Sequence, residues 1–131
     1  MRPVPVGAKG NFEQIVGPDD LASRLDPSLA DVMSTPTMAA MMELAALRAL
    51  APYLDPGESS VGTSLDIQHI AATPQGHLVR AEAEVTKSEG RRLELKVRAI
   101  DEAEEIGSGV HRRAVIDAAK FNERIRPKMK R

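Results

Sequence analysis

The segment from Met38 to Leu50, Met-Ala-Ala-Met-Met-Glu-Leu-Ala-Ala-Leu-Arg-Ala-Leu, constrains this chain more than any other. Its residues are strong helix formers, and they predict a helix over 36–51. Pro36 suits the first helical position, where a missing N–H costs nothing. Thr35 then stands at the N-cap, its hydroxyl able to accept from an orphan backbone N–H. Pro52 and Asp55-Pro56-Gly57 stop the helix. Apolar residues run nearly all round it, which predicts a buried helix that other elements must wrap.

Those elements follow at once, because the period changes from 3.6 to 2. Val61, Thr63, Leu65, Ile67, His69 and Ala71 fall on one face of a strand; Ser64, Asp66 and Gln68 fall on the other. After the turn Thr73-Pro74-Gln75-Gly76, Val79, Ala81, Ala83 and Val85 alternate with charged residues. Glu89-Gly90 joins that strand to Leu93, Leu95, Val97 and Ala99, which alternate in the same way. A last strand runs from about Glu105 to Ile116. Its Gly107 and Gly109 mark a bulge or the close approach of another group. Gly10 to Val16 adds a short strand, and 17–35 reads as a loop or short helical turns covering something apolar. The expected architecture is α+β: one long buried helix against an antiparallel meander of four or five strands with one polar face. It forms a single domain over 1–131. Residues 1–9 and 122–131 are expected to be loose tails, the second a run of solvated basic residues.

Composition narrows the function classes. The chain has 131 residues, enough for one domain with one core. Its net charge of −1 and its three aromatic residues, Phe12, Tyr53 and Phe121, argue against a nucleic-acid partner. The absence of cysteine removes thiol catalysis and thiolate metal sites. His77 and His111 lack metal-ligand spacing with His69, so no metal is expected. No apolar run approaches the ~18 residues of a membrane span, and the N-terminus lacks a signal-like apolar stretch. The expected compartment is cytoplasmic, with no membrane partner.

Three polar groups point at the apolar layer. Thr35 sits at a helix start, where free N–H groups and partial positive charge can polarise a carbonyl. Glu43 lies among Met41, Met42, Leu44 and Ala45. It is either a helix carboxylate with one wet face, or a general base or nucleophile. His69 is either a satisfied core histidine or a proton shuttle.

Longer motifs carry a resemblance. Thr35, the run Met41 to Leu54, Pro56-Gly57-Glu58, Val61-Gly62-Thr63, His69 and Ala71-Ala72-Thr73-Pro74 are similar to the fluoroacetyl-CoA thioesterase family. So are Glu89-Gly90-Arg91-Arg92-Leu93, Ile106 to His111, Ala114-Val115-Ile116 and Lys120-Phe121-Asn122. The resemblance covers about residues 33–126. It implies a hotdog fold and a homodimeric acyl-CoA thioesterase with no cofactor, CoA being part of the substrate. The implied catalytic set is Thr35, Glu43 and His69. Gly62 and Arg113 fall on substrate-binding positions, Gly62 as backbone close to the acyl group. The stretch Leu25 to Val32 lacks the phenylalanines that the family's fluoroacetate-handling member has there. Leu44 stands where that member has a tryptophan. The resemblance thus carries thioester hydrolysis and not selection of a fluorinated acyl group.

Thr35 and Glu43 lie about 12 Å apart along one helix, from the rise per residue. A hydrogen bond spans about 3 Å. The two cannot meet over one carbon within a protomer, so the expected site is shared, Glu43 of one chain facing Thr35 of its partner across a two-fold axis. A hydrolase of short acyl-CoA is the leading reading. A non-catalytic dimeric module that binds acyl-CoA or another small ligand is the alternative, since fold alone does not make an enzyme. A hydratase on the same fold would want an Asp/His pair near the helix start, and none is seen there.

Overall fold

In the computed structural model, which describes residues 1–130, one helix lies against one five-stranded antiparallel sheet. The strands are β1 (Lys9–Ile15), β2 (Glu58–His69), β3 (Leu78–Glu89), β4 (Arg92–Ile100) and β5 (Glu105–Asp117). They run in the order β1-β3-β4-β5-β2, which leaves β1 and β2 as the edges. The helix α1 (Thr35–Leu50) precedes β2, and a short helix α2 (Ala118–Ile125) follows β5. None of the described helices is long and apolar enough to cross a membrane. This is the expected α+β arrangement, with the expected inward rows: Val79, Ala81, Ala83 and Val85 on β3, and Leu93, Leu95, Val97 and Ala99 on β4, are all buried.

The helix departs from expectation in two ways. Its N-cap is Ser34, whose hydroxyl accepts from the Thr37 N–H at 3.2 Å; Thr35 is already helical. The chain is pinned just upstream, where Met33 N–H donates to Thr73 C=O and Ser34 N–H to Asp20 C=O, and the helix starts one residue early. The Thr35 hydroxyl is thereby released from capping. Nor is α1 buried all round. Met38, Met41, Met42, Ala45, Ala46, Ala49 and Leu50 pack on the sheet, while Pro36, Ala40, Leu44 and Leu47 form an uncovered stripe. Leu44 is 39% exposed and Leu47 37%. A single sheet covers one side of a helix, and among the described residues nothing else covers the other. Gly10 lets β1 cross the buried side, because a Cβ there would overlap the backbone of Ala45 and Ala49.

Strand β2 corrects the simple alternation. The register against β5 passes from Gly62 opposite Arg113 to Ser64 opposite Arg112, so Thr63 is the extra residue of a bulge. Side-chain parity flips there. Leu65, Ile67 and His69 face inward as expected, but upstream it is Ser60 and Gly62, not Val61 and Thr63, that share the inward face. Gly107 and Gly109 mark a close approach: a Cβ at either would strike the β2 backbone, and at Gly107 also Met38.

The N-terminal segment makes contacts with the rest of the fold. Val4 is buried, the N-terminal ammonium pairs with Asp55 at 2.6 Å and Glu58 at 2.9 Å, and Gly7 N–H donates to Val85 C=O. At the other end Asp117 caps α2 by accepting from the Lys120 N–H, and a 3-10 turn follows at Arg126–Met129. Arg124, Arg126, Lys128 and Lys130 stay exposed, as a charge run should.

Candidate active site

Two clusters of polar side chains lie on the inward face. The first joins the start of α1 to the end of β2. Thr35 Oγ1 and His69 Nδ1 are hydrogen bonded at 2.9 Å. The pair opens on a cleft of about 300 Å³ lined by Ala22, Val32, Met33, Ile70 and Ala71. His69 Nε2 is buried without a hydrogen-bond partner. Burial pushes the imidazole pKa below its usual value, opposed by the Ala71 backbone, which lies outside hydrogen-bond geometry. His69 is therefore neutral at pH 7, with one nitrogen on a hydroxyl and the other free.

The second cluster lies midway along α1 and β5. Arg113 is 7% exposed, and its guanidinium is locked from three sides. Nε donates to Ser60 Oγ at 2.9 Å, and Nη2 to Ser60 C=O at 2.9 Å. Nη1 donates to His111 Nε2 at 3.0 Å. The same Nη1 lies 3.6 Å from the carboxylate of Glu43, whose side chain is 46% exposed. Burial lowers the pKa of Arg113 and Glu43 opposes the shift; arginine remains charged throughout. His111 is fully buried, and the desolvation of its imidazole is the main cause that lowers its pKa. Its tautomer follows from its neighbours. Nδ1 faces the Ser64 carbonyl at 2.9 Å and must donate, so Nε2 is free to accept from Arg113. Gly62 closes the cluster. A Cβ on it would sit 3.2 Å from His111 Cε1 and 3.5 Å from both Arg113 Nη1 and Glu43 Oε1. Its missing side chain keeps the carboxylate open to solvent.

The five residues expected from the sequence thus divide in two. Thr35 and His69 touch; Glu43, Arg113 and Gly62 touch; the halves do not. Along β2, Gly62 and His69 are roughly 23 Å apart, and along α1 Glu43 and Thr35 are about 12 Å apart. Two further members, His111 and Ser60, are not among the site residues expected from the sequence. His111 stands two residues before Arg113, and that alternation is the signal that places it on the same face. His77 approaches Asp101 at 4.0 Å and Glu102 at 3.9 Å, and no set of three His, Asp or Glu among the described residues could hold a metal ion.

A helix N-terminus beside a hydroxyl–imidazole pair, with a carboxylate held on a buried arginine, suits attack on a carbonyl carbon. The relatives fit. A fluoroacetyl-CoA thioesterase from Streptantibioticus cattleyicolor is 43% identical over 129 residues, which is 94% of this chain and 93% of that protein. A solved structure of the fluoroacetyl-CoA thioesterase superposes with a TM-score of 0.90 at 43% identity, covering 95% of this chain and 97% of that one. A hot-dog-like protein from Thermanaerovibrio acidaminovorans superposes with a TM-score of 0.87 at 24% identity, over 97% of this chain and 94% of its own, and shows the hotdog fold. The family model described as fluoroacetyl-CoA-specific thioesterase matches residues 16–119. This chain belongs to that thioesterase family.

Proposed function

We propose that the protein hydrolyses short-chain acyl-CoA thioesters, and that it does so as a homodimer in which the two half-sites of each catalytic centre come from different protomers. The observation that carries this reading is the Thr35–His69 pair, bonded at 2.9 Å with Nε2 free, at the mouth of a small apolar cleft. The uncovered stripe Pro36, Ala40, Leu44, Leu47 and the edge strand β2 supply the surface on which a second copy would seat. An antiparallel pairing about a two-fold axis brings Glu43 of one chain toward Thr35 and His69 of the other.

In that centre the acyl group occupies the cleft. The start of α1 polarises the thioester carbonyl. Thr37 N–H is already capped and Pro36 has none, which leaves the Thr35 N–H and hydroxyl for the developing oxyanion. Glu43, facing Arg113, acts on the carbonyl carbon directly or through water. The proton that the hydrolytic water gives up to Glu43 passes through neutral His69, taken at one nitrogen as another leaves from the other, to the departing thiolate. No cofactor enters; CoA is the handle of the substrate. The cleft has no Phe, Tyr or Trp, so the proposal stops at chain length and does not extend to fluorine selection.

Thiol release from acetyl-, fluoroacetyl-, propionyl-, butyryl- and phenylacetyl-CoA tests the reading, with Glu43→Gln run alongside. Turnover of the short members, reduced by about 10²–10⁴-fold in the variant, is expected. Intact ligand binding with no turnover of any member would favour the non-catalytic binding module instead.

A further inference from the structure

Behind the Thr35–His69 pair lies a buried polar contact that the chemistry above does not use. Thr73, fully buried in the loop after β2, donates its hydroxyl to Asp101 Oδ2 at 2.8 Å. Asp101 sits at the turn between β4 and β5, and it too is buried. Its Oδ1 accepts from the Ala103 N–H at 2.8 Å and the Glu104 N–H at 2.9 Å, which is all that the turn asks of it. An asparagine would serve that turn as well, without the cost of a buried carboxylate. The second oxygen is therefore surplus to the turn, and Thr73 is its partner. His77 Nδ1 lies 4.0 Å away, too far for a hydrogen bond. Desolvation pushes the Asp101 carboxyl up, but the Ala103, Thr73 and Glu104 donors outweigh it and hold the group below its ordinary value, ionised at pH 7.

The backbone of Thr73 is where this contact matters. The cleft has two lips, one running from Val32 to Thr35 and the other from His69 to Ala72. Met33 N–H donates to Thr73 C=O at 2.8 Å, and Val32 bridges to Pro74 just beyond. Met33 stands two residues before Thr35 and Thr73 four after His69, so this one bond ties together the segments that carry the pair. Its neighbours do less. Ser34 N–H to Asp20 C=O fixes only the first lip, and Ile70 N–H to Ile106 C=O only the second. Thr73 itself does not line the cleft. We propose that Thr73 and Asp101 are positioning residues, whose hydroxyl–carboxylate contact anchors the Met33–Thr73 bond to the β4–β5 turn and so holds Thr35 and His69 aligned for hydrolysis. The effect on turnover rests on the thioesterase reading; the alignment of the pair does not.

The test compares Thr73→Val, which exchanges the hydroxyl for a methyl group and strands Asp101 Oδ2, with Thr73→Ser, which keeps the hydroxyl. NMR titration of the three histidines reads the pair without substrate, His69 being assigned by its loss in His69→Ala. A slackened clamp admits water to the imidazole. The pKa of His69 is therefore expected to rise toward the ordinary value of about 6.5 in Thr73→Val and to return to its native position in Thr73→Ser. On acetyl-CoA, kcat should fall about tenfold in Thr73→Val with KM little changed, and recover in Thr73→Ser. A role in stability alone would lower the urea midpoint while the His69 titration and the kcat of the folded enzyme stay native, and that result overturns the proposal. Equal changes in Thr73→Ser and Thr73→Val also overturn it, because the hydroxyl would then not be the cause. If Thr73→Val does not fold, Asp101→Asn replaces it: its oxygen still serves the turn, and the nitrogen beside it cannot accept from Thr73. A raised His69 pKa in that variant supports the clamp, and a native titration overturns it. If the native protein cleaves no thioester, the thioesterase reading fails on its own, and the His69 titration still decides this one.

Discussion

Mixing two inactive variants tests the shared centre directly. Take Glu43→Gln as one homodimer and His69→Ala as the other, dissociate both and reassociate them in equal amounts. Random pairing makes about half of the dimers mixed. In a mixed dimer one centre combines both altered residues, and the other combines native Glu43 with native His69. One of its two centres is therefore restored, and about a quarter of native activity should return. The background is low, since each variant alone is expected to lose about 10²–10⁴-fold. The geometry behind this is firm: the helix separates Glu43 from Thr35 by about 12 Å, and neither side chain crosses that gap to a common carbon. The assay is thiol release from acetyl-CoA, with size-exclusion chromatography showing that the mixture is dimeric. A mixture that is dimeric, freely exchanging and still at background would refute the shared centre, because a centre built within one chain cannot be complemented.

Three further outcomes follow from the packing. Arg113→Lys loses the fork that meets Ser60 twice and His111 once, which strands buried acceptors. It should cost about 2–3 kcal/mol, read from urea midpoints, and lower kcat through Glu43. Gly10→Ala drives a methyl group into the backbone of Ala45 and Ala49, and a loss of about 3 kcal/mol in the same assay is expected; a native-like midpoint would mean that β1 does not cross α1 there. Folding holds the pKa values of both His69 and His111 below the usual value of about 6.5. The unfolded chain thus binds more protons as pH falls through that value, and stability, fully present above it, declines from pH 6.5 toward 5.5. A urea midpoint that is flat or rising over this window contradicts the assigned neutral imidazoles, and His111→Asn should flatten part of the slope.

What was legible in the sequence was local, and what was missed depends on contacts between distant segments. The inward rows of β3 and β4 follow from alternation alone, and the helix from its Ala, Met and Leu content. The parity of β2 upstream of Thr63 was not legible, because a one-residue bulge is set by pairing with β5 rather than by β2 itself. The N-cap was misplaced by one residue because Ser34, like Thr35, is a good capping residue. Hydrogen bonds from Met33 and Ser34 to segments far along the chain decide between them. The same distinction runs through the site. Thr35, Glu43 and His69 stand out because each is a polar group in an apolar pattern. The grip of Ser60 and His111 on Arg113 needs the register of β2 against β5, which no single segment encodes. That register gives the carboxylate a fixed cation and, through Gly62, an open face. The uncovered stripe on α1 has the same origin. Its apolar residues signal burial, yet within one protomer the sheet leaves Ala40, Leu44 and Leu47 uncovered. Leu44 and Leu47 share the helix with Glu43, so a partner that covers the stripe also brings its own Thr35 toward the carboxylate. Dimer formation and completion of the catalytic centre would then be one event, and dilution below the dimer's dissociation constant should abolish turnover in step with the loss of dimer.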